Sequence, residues 1–107
     1  MKSIKRTFYS DPGHAWLCVS YAELVELGIH DKISSWSYRS GGKIYGNDLV
    51  YLEEDRDAGI YINAVNKLGY TVEFVEKNNN QESPIRSYDP YYFEMKSGEL
   101  IAKAGDA

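Results

Sequence analysis

Residues 8–19, FYSDPGHAWLCV, bring a carboxylate, an imidazole and a thiol into one short stretch. His14 has the chemistry of a general base near neutral pH, and Asp11, three residues earlier, is spaced to orient it. Cys18 adds a candidate nucleophile. If residues 15–19 form a strand, His14, Trp16 and Cys18 share one face. Each step along that face is about 7 Å, so His14 and Cys18 stand too far apart to pair directly. The preferred reading is structural. Asp11 closes an Asx-type turn, His14 supports the hairpin with its ring bonded to backbone or a carboxylate, and Cys18 is a small, unreactive strand residue.

A second cluster is LEEDRDAG, residues 52–59, with carboxylates at Glu53, Glu54, Asp55 and Asp57. Such a set has the oxygen ligands that a hard cation such as Mg²⁺ or Mn²⁺ prefers. With His14 folded beside it, the result is a small metal-dependent hydrolase or nuclease, the alternative reading. The spacing is not that of an EF-hand, because the positioned glycine and the terminal glutamate are missing. The preferred reading is a helix start with Asp55 or Asp57 as its cap and the other acids in solvent, with no cofactor.

A third set is a candidate binding surface. IRSYDPYY supplies Arg86, Tyr88, Tyr91 and Tyr92, and the serine-rich segment before it in the chain supplies Trp36 and Tyr38. Glu53 and Glu54 complete the set. Trp, Tyr and Arg are the residue types that dominate protein-binding hot spots. Tyrosine is the compositional outlier, with ten residues. There is no phosphate loop, GxSxG, HExxH or paired-cysteine zinc motif, and SGGK at residues 40–43 lacks phosphate-loop spacing.

These side chains need elements to position them. Residues 6–9 and 15–19 read as strands joined through Asp11-Pro12-Gly13, where proline presets φ and glycine permits a positive one. Ser20 and Glu23 have capping-box spacing at the start of a short helix that Gly28 ends. Residues 29–42 read as a loop that Trp36 and Tyr38 anchor. Residues 43–45 and 49–52 read as a second hairpin, turning at Gly46-Asn47-Asp48. Tyr61, Ala64, Val65 and Leu68 give the stripe of a helix over residues 57–68, which Gly69 stops. Residues 70–76 alternate as a strand. Residues 85–88 and 91–95 suit edge strands or packed loop, and the tail from about residue 98 is expected to be weakly ordered.

The order ββ-α-ββ-α-β predicts a single α+β domain over residues 1–107. Two helices pack on a mostly antiparallel sheet of about four to five strands. The strand–helix–strand unit over residues 52–75 can instead supply a parallel pair.

Composition excludes several classes. With 43% hydrophobic and 26% charged residues, the chain is globular. No apolar run approaches the roughly 20 residues of a membrane span, and no apolar stretch follows the basic MKSIKR to make a secretory signal. Cys18 is the only cysteine, so no internal disulfide forms, and a cytoplasmic location is expected. The net charge of −4 disfavours direct nucleic-acid binding.

FYSDPGHAWLCV and VYLEEDRDAG (residues 50–59), with a weaker echo in SPIRSYDPY (residues 83–91), resemble a group of short, mostly uncharacterised proteins from bacteriophages and proteobacteria. In that group the first block usually reads DPGHGWL, so Ala15 stands for a glycine, and a cysteine often occupies the place of Arg56. The segment around residues 44–48 is longer here. The resemblance implies a phage or mobile-element setting and no substrate. The expected function is binding of a bacterial host protein, with inhibition of a defence or nucleic-acid-processing system as a possible consequence.

Overall fold

A computed structural model of the protein describes residues 2–40, 49–91, 94–96 and 99–101. The chain runs β1 (Lys2–Ser10), β2 (Ala15–Ser20), α1 (Tyr21–Glu26), β3 (Tyr38–Arg39), β4 (Leu49–Glu53), α2 (Asp57–Lys67) and β5 (Tyr70–Asn78). A 3₁₀ turn (Pro84–Ser87), β6 (Asp89–Pro90), β7 (Glu94–Lys96) and β8 (Glu99–Ile101) follow.

Among the described residues the main sheet has six strands in the order β5-β1-β2-β4-β3-β6, and β7 pairs with β8 separately. The α+β expectation holds, with more strands than foreseen and a mixed sheet. β1 and β2 form the expected antiparallel hairpin, with Tyr9 opposite Trp16. β4 lies antiparallel to β2, placing Glu53 opposite Trp16. The parallel pair is β1 with β5, from Lys2 against Tyr70 to Ser10 against Asn78. β4 and β5 therefore run parallel but are not neighbours, because β2 and β1 lie between them.

Strand alternation divides the side chains between two faces. Leu17, Val19, Val50 and Leu52 meet Tyr21 and Leu24 of α1 and Ala58, Tyr61 and Val65 of α2 in the main core. Each such buried apolar side chain contributes roughly 1.5–3 kcal/mol. Trp16, Tyr51 and Ile85 form a second cluster with Tyr9, Cys18, Tyr38 and Tyr88.

The helix starts follow local chemistry. Ser20 and Glu23 make the capping box, with the Glu23 N–H donating to Ser20 Oγ at 3.2 Å and the Ser20 N–H to Glu23 Oε2 at 3.0 Å. Glu23 also accepts from the Arg6 guanidinium and, at 3.0 Å, from the Tyr61 hydroxyl, which ties α1 to β1 and α2. Gly28 and Gly69 end their helices with φ of 69° and 89°, the left-handed region that favours glycine.

Several elements differ from expectation. The segment read as a loop over residues 29–42 contains β3, too short for a periodicity signal. Of residues 85–88, read as edge strand or packed loop, Ile85 to Ser87 lie in the 3₁₀ turn, because Ser83 Oγ caps it at the Ile85 N–H (3.2 Å) and Pro84 occupies its first turn. Leu68 of the stripe follows the helix and is 64% exposed. The strand proposed at residues 43–45, its turn at 46–48, SGGK beyond Ser40 and, apart from Glu99–Ile101, the tail from residue 98 lie outside the described residues. Among the described residues no helix is long and apolar enough to cross a membrane.

Candidate functional site

The site is built from the hairpin turn. Asp11 Oδ1 accepts from the Gly13 and His14 N–H groups, both at 2.9 Å, the expected Asx turn. The same carboxylate holds a segment far away in sequence: Arg86 Nε donates to Oδ2 at 2.6 Å and Nη2 to Oδ1 at 2.9 Å. The Ser83 N–H adds a bond to Oδ2 at 2.8 Å. The Arg86 guanidinium, together with these backbone donors, holds the Asp11 carboxyl well below the usual carboxylate range. So fixed, Arg86 lies over the Trp16 ring at 5.7 Å. Gly13 has no positive φ. A Cβ there would come within 2.7 Å of Arg86 Nη2, so the glycine makes room for the clamp.

His14 is exposed, with its ring 6.1 Å from that of Trp16. Asp11 touches it through the backbone N–H and not through the ring, so Asp11 does not orient the imidazole as a base. No described residue bonds that ring, contrary to the expectation of a bonded structural histidine.

The acidic cluster separates into different roles. Glu53 is buried, and its carboxylate accepts from the backbone N–H groups of Asp55 (2.8 Å), Arg56 (2.7 Å) and Asp57 (3.0 Å). It thus holds the turn into α2, taking the N–H groups of the N-cap Arg56 and the first helical residue Asp57, the role expected of Asp55 or Asp57. Neither aspartate caps, because the strand end places Glu53 under the turn and Asp57 points inward. Asp57 is fully buried and accepts from the Ser34 N–H (3.0 Å), Ser34 Oγ (2.7 Å), Ser37 Oγ and Arg56 Nη1 (2.8 Å). Glu54 and Asp55 face solvent.

The Asp57 bonds fold the 34–37 turn onto the body and present its tip. Trp36 donates its backbone N–H to Ser34 Oγ at 3.2 Å while its side chain stays 70% exposed. The turn and the Arg86 clamp wall a cleft of about 280 Å³. His14, Trp16, Ser35, Trp36, Tyr38, Glu53, Asp55 and Arg86 line it. Tyr38 meets Trp16 edge-on at 6.2 Å. Of the expected binding surface, Trp36, Tyr38, Arg86 and Glu53 therefore converge. Glu54 does not line the cleft, and Tyr88 lines a neighbouring one with Tyr9 and Tyr51. Tyr91 is fully buried, its hydroxyl donating to the His30 carbonyl, so it is core and not surface. Tyr92 lies outside the described residues.

Cys18 is half-buried beside Tyr51, and burial pushes its thiol up to about 11, as suits an unreactive strand cysteine. The four acids do not converge as a ligand set. Among the described residues no three His, Cys, Asp or Glu side chains are grouped to hold a metal ion.

Trp16 and Ser35 also line the cleft, beyond the residues expected from the sequence. The alternation of β2 held the only signal, placing Trp16 on the face of His14. Comparison with protein-family models, curated proteins and solved structures finds no match.

Proposed function

We propose that this is a small binding protein, of phage or mobile-element type, that engages a bacterial host protein in the cytoplasm through the Trp36 cleft. The consequence is inhibition or redirection of a host defence or nucleic-acid-processing system. One observation carries the reading: a tryptophan 70% exposed on a turn that the buried Asp57 carboxylate holds in place. Exposure of so large an apolar ring costs solvation free energy, and a partner that covers it recovers that cost. Trp36, Tyr38 and Arg86 are of the types found at hot spots. Arg86 is already ordered by Asp11, so binding loses little of its side-chain entropy. The resemblance to phage proteins supports the bacterial setting.

The alternative, acid–base or metal-assisted hydrolysis, has one observation in its favour: His14, Glu53 and Asp55 line the same cleft. It ranks second because Glu53 is taken up by three backbone donors and Asp57 by the 34–37 turn. Affinity purification from a bacterial lysate on the immobilised protein tests the first reading. A stoichiometric partner retained by wild type and lost with Trp36→Ala is expected. Recovery of no partner, or equal recovery on both, counts against it.

A further inference from the structure

β5 is an edge strand nine residues long, paired with β1 on one side and with no described strand on the other. From Glu73 to Asn78 it is exposed, including Phe74 (45%) and Val75 (43%). The backbone bonds identify which groups face outward. Gly69 O accepts from the Lys2 N–H at 3.3 Å, and the Asn79 N–H donates to Ser10 O at 2.8 Å. Odd-numbered residues of this strand therefore direct their N–H and C=O toward β1. By alternation, Tyr70, Val72, Phe74, Glu76 and Asn78 direct theirs to the open edge. An edge of this kind is a template for another strand.

We propose that β5 pairs antiparallel with β5 of a second copy of this chain, about a two-fold axis at Val75. The charges select this register. Self-pairing must set outward-facing residues opposite one another, so the axis passes through a residue and not between two. An axis at Glu73 or Glu76 opposes a glutamate to itself. An axis at Phe74 pairs no opposite charges. At Val75, Glu73 of each copy faces Lys77 of the other, twice, in the pairs where side chains stand closest. Charged residues on an edge usually block pairing; in this register their signs agree. The existing contact of Glu73 with Lys5, at 3.9 Å between mostly exposed groups, is a weak competitor. The exposed Phe74 and Val75 lie at the centre of the seam. The sheet becomes continuous across the pair, independently of the Trp36 cleft.

Sedimentation or light scattering of the full chain over a concentration series is expected to show a monomer–dimer equilibrium. Lys77→Glu should raise its Kd about tenfold, and adding Glu73→Lys should restore it. Val75→Cys tests the axis directly. At such a pair the Cα atoms lie about 4.5 Å apart, within disulfide range. Mild oxidation should link Val75→Cys to itself, mapped by mass spectrometry because Cys18 remains, and should not link Phe74→Cys. A monomer at millimolar concentration, a dimer indifferent to Lys77→Glu, or linkage of Phe74→Cys in place of Val75→Cys would each overturn the proposal.

Discussion

At the scale of the residue, Asp57 does more than its place in an acidic run suggests. Its carboxylate has no solvent exposure, and four donors from three residues converge on it. Removing it leaves the buried Ser37 hydroxyl and the part-buried Ser34 hydroxyl without their acceptor. Asp57→Ala should cost about 3 kcal/mol in urea denaturation, in the range for a buried charged hydrogen-bond centre. A loss below about 1 kcal/mol would show that the 34–37 turn holds itself. This role was not legible in the sequence, because Ser34 and Ser37 lie 23 and 20 residues before Asp57. The Asx turn of Asp11 and the Ser20–Glu23 box were legible, since both partners fall within three residues.

At the scale of the element, the start of α2 turns on the last residue of β4. Glu53 takes the N–H groups of Asp55, Arg56 and Asp57, the turn that leads into the helix and its first residue, so Glu53→Ala should destabilise the protein by about 0.5–2 kcal/mol. Asp55→Ala, at an exposed position, should stay within about 0.5 kcal/mol of wild type. Thermal melts of both variants separate the two assignments; a larger loss for Asp55→Ala would return the cap to the aspartate. Sequence reading placed the helix to within a residue, because Tyr61 and Val65 carry its apolar stripe. The cap was not legible in the same way, because it is not a short side chain at the boundary but a longer one, Glu53, reaching forward from the strand. β3 was invisible for a simpler reason: two residues carry no alternation, and pairing with β4 and β6 alone makes them a strand.

At the scale of the whole molecule, the Asp11–Arg86 pair joins residues 75 apart and closes the second cluster over the sheet. No local pattern announces it, just as none announces that β5 lies beside β1. Alternation and turn chemistry specify elements, whereas neighbours in a sheet are chosen by burial over the whole chain. The pair makes stability depend on pH. A carboxyl lowered in the folded state stabilises the fold above its unfolded value near 3.9, and that contribution is lost as pH falls. Asp11→Asn should therefore melt below wild type at pH 7, with the gap narrowing as pH drops below about 4. A gap that does not change with pH would remove the charge from the account. The turn bearing Trp36 is proposed as the binding face. It is tested most directly by calorimetry of a captured host partner against wild type, Trp36→Ala and Leu68→Ala. Leu68 is the control, an exposed apolar residue (64%) remote from the cleft lining. The account predicts a Kd raised about thirtyfold or more by Trp36→Ala, the size of a hot spot, and within about twofold for Leu68→Ala. Unchanged affinity for Trp36→Ala, with loss for Leu68→Ala, would move the binding face to the helices and contradict it.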